Sequence, residues 1–71
     1  MGLRILKSKR ALFGLTQVKV ANMMGMNTKT YNLKENGRVD FSLEEVVKIS
    51  KVLNLNIKEV NEIFLNLDIE N

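Results

Sequence analysis

Eight lysines and arginines fall in the first 38 residues: Arg4, Lys7, Lys9, Arg10, Lys19, Lys29, Lys34 and Arg38. One carboxylate, Glu35, accompanies them, which leaves this half at +7. The second half carries three lysines against seven acids, a net of −4. A basic front and an acidic back fit a domain with one polyanion-facing side. Two solvated faces of unequal charge give the same count. The chain has no histidine and no cysteine, so imidazole bases, thiol nucleophiles, disulfides and His or Cys metal sites are absent. The few carboxylates sit at salt-bridge spacings, lack the calcium-loop pattern, and no glycine-rich loop can cradle a phosphate. An enzyme is therefore the weakest reading, and no cofactor and no small-molecule ligand are expected.

The elements that must position these cations announce themselves at their starts. A helix N-terminus favours Ser, Thr, Asn or Asp at the cap, whose side chain accepts from an orphan backbone N–H. An apolar residue before the cap often packs on one four positions into the helix. The sequence repeats this four times: Leu15-Thr16 before Val20, Met26-Asn27 before Tyr31, Phe41-Ser42 before Val46, and Leu55-Asn56 before Val60. Glu45 and Glu59 complete the last two as capping boxes. Gly14, Gly25 and Gly37 fall where a left-handed residue ends a helix. With apolar residues recurring at three- and four-residue steps and no proline, the chain reads as an all-α, compact five-helix domain. Helices are predicted over 2–12, 16–24, 28–36, 42–54 and 57–66. The expected core is Leu6, Val20, Ala21, Met24, Met26, Tyr31, Phe41, Val46, Ile49, Leu53, Val60, Ile63 and Phe64.

Seventy-one residues make one domain spanning the chain. No apolar run approaches a membrane span and no secretory pattern opens it, so a soluble, cytoplasmic protein without membrane contact is expected. The short second and third helices, joined by Gly25-Met26-Asn27, have the tight joint of a helix-turn-helix over about 16–36. Any small helical bundle with a short loop shares that spacing. Past the last core helix, Phe64, Leu65 and Leu67 concentrate apolar surface in the 57–71 segment. They are the expected dimer contact; a tail lying on its own domain is the alternative.

Leu6-Lys7-Ser8-Lys9-Arg10, Gly14-Leu15-Thr16-Gln17, Ala21, Gly25 and Glu35-Asn36-Gly37 together resemble the Cro/cI-type helix-turn-helix of lambdoid phage repressors, the XRE family. The resemblance runs from about Leu3 to Phe64. It implies a lambda repressor-like, five-helix domain that binds double-stranded DNA, usually as a homodimer on a palindromic operator, and here a small Cro-like repressor of phage or mobile-element origin. By the same resemblance Gln17 contacts phosphate and braces the reading helix, and Thr16 caps a helix whose amides face a phosphate. Thr28, Lys29, Asn32 and Leu33 match base-facing positions. Asn36 matches a phosphate contact, and Arg10 with Glu35 matches an ion pair between the first and third helices. Lys7, Lys9, Lys19 and Arg38 are expected on the DNA backbone or as steering charges.

The chemistry leaves choices along the reading helix. Lys29 can donate to guanine or to a phosphate, and Asn32 can bind adenine or stay on the surface. Thr28 can touch base or phosphate. Leu33 can pack on thymine methyls, or enter the core if the helix is rotated. Lys34 stands where many family members have an apolar residue. The competing functional reading is a protein-binding module, an antitoxin or adaptor on the same fold.

Overall fold

The computed structural model describes residues 2–65. Five α-helices follow in order: α1 (Leu3–Leu12), α2 (Gln17–Met24), α3 (Thr28–Glu35), α4 (Leu43–Val52) and α5 (Ile57–Val60). The last runs directly into a π-helical turn, Asn61–Leu65. No strand occurs among the described residues, and no helix among them is long and apolar enough to cross a membrane.

All four expected caps form. The side chains of Thr16, Asn27, Ser42 and Asn56 accept from the backbone N–H of Lys19, Thr30, Glu45 and Glu59. Glu45 and Glu59 reach back to the N–H of Ser42 and Asn56 at 2.9 Å each. Each such cap stabilises its helix by about 1 kcal/mol. The stops are as regular. At Gly25, φ is +72°; its N–H donates to Asn22 O and the N–H of Met26 to Ala21 O. This pair of bonds satisfies the last carbonyls of α2 and turns the chain sharply toward α3. The same pair recurs after α1, α3 and α4, the last time around Asn54, a non-glycine residue at φ +52°.

The core cluster joins Leu6, Val20, Ala21, Met24, Tyr31, Ile49, Leu53 and Ile63. Val46 is also buried, while Met26, Phe41 and Phe64 are half-buried and pack against the cluster. Phe41 stands edge-on to both Tyr31 and Phe64, with centroids 6.3 Å and 5.2 Å away. Val60, expected inside, is only half-buried. The fifth helix also departs from the regular 57–66 helix expected. Its π turn brings the backbone against the start of α1: a methyl built on Gly2 would overlap the Glu62 carbonyl oxygen and lie 2.5 Å from Ile63 Cα. The close approach buries Ile63 to 5% exposure, and only glycine leaves room for it.

Candidate nucleic-acid interface

The tight turn brings α2 against α3, and one buried carboxylate ties both to α1. Glu35, the last residue of α3, is fully buried. Arg10 Nε donates to its Oε2 at 2.8 Å and Arg10 Nη2 to its Oε1 at 3.1 Å. The Tyr31 hydroxyl donates to Oε2 at 2.6 Å, and Gln17 Nε2 donates to Oε1 at 2.8 Å. A buried charge is tolerated when it is paired and its lone pairs are filled, and four donors fill these. Burial pushes the Glu35 carboxyl up, but the bonds from Arg10, Tyr31 and Gln17 outweigh it, so its pKa lies below the usual 4.5. The bond to Glu35 raises the Arg10 pKa against the effect of burial. Burial first, then the bond to Glu35, pushes the Tyr31 phenol up. Arg10 also donates to Leu15 O at 2.9 Å, which fixes the approach to α2.

The orientation of α3 follows. Tyr31, Lys34 and Glu35 face inward. Lys29 is exposed; Thr28, Asn32 and Leu33 are half-exposed. Leu33 is not part of the core cluster or of the residues packed on it, and by helical periodicity it shares the outward edge with Lys29. Lys34 occupies the inward position instead. Its ammonium lies 2.9 Å from Glu45 Oε1 and donates to Asp40 O at 2.9 Å, so its charge is held inside the fold by two acceptors. The acceptors lie across the α3–α4 loop, and no local pattern in the sequence marks them. Thr30, absent from the expected site, is exposed beside Lys29.

The flanks of α3 are braced. Asn32 Nδ2 donates to Gln17 Oε1 at 3.0 Å. Asn36 Nδ2 donates to Asn32 O at 2.9 Å, closing the helix end, while Lys7 Nζ donates to Asn36 Oδ1 at 2.9 Å. Lys19, Lys29 and Arg38 are exposed and form no ion pair among the described residues. Lys9 differs from the other cations expected on phosphate. It lies 2.8 Å from Glu59 Oε2, on the side of α1 that faces α5. Thr16 holds its cap.

Beside the C-terminal end of α3, Leu3, Lys34, Gly37, Phe41, Phe64 and Leu65 line an open groove of about 440 Å³. Leu65 is 49% exposed. Phe64 is partly spent on Phe41. Leu67 lies outside the described residues.

Comparison with known proteins agrees with this geometry. No curated protein and no solved structure matches the chain. The profile of the family described as Helix-turn-helix matches residues 6–60, from the first core leucine to the end of α5. The chain thus belongs to the Cro/cI-type helix-turn-helix family, the XRE family, and is a DNA-binding domain of the transcription-regulator type.

Proposed function

We propose that the protein is a sequence-specific regulator of transcription, a small Cro-like repressor of phage or mobile-element origin that binds a palindromic operator as a homodimer. The observation that carries this reading is the Glu35 hub. It holds α3 rigidly against α1 and α2, with Thr28, Lys29 and Leu33 turned outward and Lys19 and Arg38 free at the sides. In this reading α3 enters the major groove. Lys29 donates to a base edge, and Leu33 meets a base through apolar contact. Thr16, Gln17, Lys7, Lys19, Asn36 and Arg38 contact the backbone of the duplex. Lys9, spent on Glu59, is left out of that set.

The groove beside Leu65 supports the dimer. A dimer built there would need to set its two reading helices about 34 Å apart, one turn of duplex. A binding titration over salt, with selection from a random DNA pool, tests the function. The expected result is a steep salt dependence and a two-fold symmetric site. Binding with neither salt dependence nor sequence preference refutes it. Sedimentation tests the dimer separately: a monomer at high micromolar concentration, with and without the selected DNA, excludes it. A stoichiometric protein partner combined with background DNA affinity would favour the antitoxin or adaptor reading instead.

A further inference from the structure

The hydrogen bonds around Glu35 have a direction. The carboxylate takes four donors, and an ionised carboxylate can only accept. Gln17 must therefore turn its NH₂ toward Glu35. That leaves its oxygen facing Asn32, so Asn32 must turn its own NH₂ toward Gln17, as it does at 3.0 Å. Amide orientation is set by the surrounding network, and here a buried charge sets two amides in series. Asn32 Oδ1 is left without a hydrogen bond among the described residues, on a half-exposed residue beside the outward edge of α3.

We propose that Asn32 is a specificity-determining residue whose polarity is dictated from the core: Glu35, through Gln17, makes it present an oxygen acceptor to the major groove. The inference rests on the DNA-reading role proposed for α3. A fixed acceptor selects a base that donates from its major-groove edge. Two bases do so through an exocyclic amine, adenine at N6 and cytosine at N4; guanine O6 and thymine O4 are acceptors and cannot pair with that oxygen. Asn32 keeps one further N–H. With adenine it can meet N7, whereas cytosine has no acceptor there. Gln17 is the positioning residue of this arrangement, since a free amide could turn over and accept either class of base.

The test uses the full chain and the duplex returned by random-pool selection. In each half-site, one adenine or cytosine at a time is replaced by its analogue lacking the exocyclic amine, purine for adenine and 2-pyrimidinone for cytosine. At one position the loss should weaken wild-type binding at least about fivefold. The arm that shows it identifies the base, and 7-deazaadenine then reports the N7 contact. Asn32→Ala, on an exposed-side helical position that tolerates alanine, should bind the natural and analogue duplexes equally. Gln17→Leu leaves Arg10 and Tyr31 on Glu35. Its overall affinity falls with the lost phosphate contact, but the decisive readout is a ratio: preference for amine over carbonyl bases should collapse toward one at that position alone. An Asn32→Ala protein that keeps the fivefold penalty, or a Gln17→Leu protein that keeps the wild-type ratio, overturns the proposal. A wild-type protein with no sequence preference at all refutes the DNA-reading role instead, so the two failures are distinct.

Discussion

Tyr31 and Glu35, one helical turn apart on α3, are joined by a 2.6 Å hydrogen bond that lies entirely inside the protein. Both side chains are fully buried, and the same carboxylate is ion-paired to Arg10 25 residues earlier. Tyr31→Phe removes the donor and leaves Glu35 one bond short. A hydrogen bond to a charged group contributes about 1.5–3 kcal/mol, so a loss of about 2 kcal/mol is expected. Urea denaturation of the two proteins at neutral pH measures it, and a change below about 0.5 kcal/mol would show the bond to be unimportant.

Acid should unfold the domain partly through this site. The Glu35 pKa is lower in the folded protein than its ordinary value of 4.5. In that window the unfolded chain binds more protons, so stability rises with pH. The contribution is fully present above about pH 5.5 and is lost as pH falls through the folded value. Glu35→Gln should be less stable at pH 7, and its denaturation midpoint should fall less between pH 7 and pH 3. Some slope will remain, because the Ser42 backbone N–H lowers the Glu45 carboxyl and the Lys9 bond lowers that of Glu59.

The Lys34–Glu45 pair predicts an asymmetry. Replacing a buried ion pair by apolar groups is often neutral or stabilising, whereas removing one partner strands the other. Lys34→Met should change stability by less than about 1 kcal/mol, because the Glu45 it leaves is part-exposed and still accepts from the Ser42 N–H. Glu45→Ala should cost about 2 kcal/mol, because it strands Lys34 and also breaks the Ser42 capping box. Thermal melts of both single variants and the double variant separate the two losses. Equal single effects would contradict the asymmetry.

The surface lysines divide by partner. Lys19→Ala and Arg38→Ala should each weaken DNA binding for all sequences alike and reduce the salt slope by about one unit. Lys9→Ala should leave the slope unchanged, since its ammonium is already held by Glu59. Titrations at four salt concentrations suffice to decide.

Gly2 gives the sharpest steric prediction. Gly2→Ala places a methyl against the Glu62 carbonyl and Ile63 Cα, which forces α1 and the π turn apart. A loss of about 1–3 kcal/mol is expected, of the kind seen on overpacking a core. An unchanged melting temperature would mean that the two segments separate at no cost.

What could be read in advance was local. Thr16, Asn27, Ser42 and Asn56 each declare a helix start within four residues, and each cap formed. The helix boundaries follow, and with them the inward face of α2 and α4. Partnerships across the chain were not legible from residue type alone. Nothing near Lys9 points to Glu59, and nothing near Lys34 says that its charge will be buried against Glu45. Asn54 stops α4 without the glycine that marks the other stops. The π turn depends on where α1 lies, which no short window contains. The rotation of α3 needed the partners of Lys34; once those are known, Leu33 falls outside the core.

The corner at Gly25 joins two helices, but the carboxylate at the far end of the second one keeps them aligned. Loosening α3 from its neighbours would strand a charged group that four donors now satisfy, and Arg10 would lose its counterion at the same moment. Few half-open states of the domain avoid that penalty. Alignment of the exposed edge is thereby linked to the folding equilibrium itself: the bonds that hold α3 in place are bonds that hold the fold together.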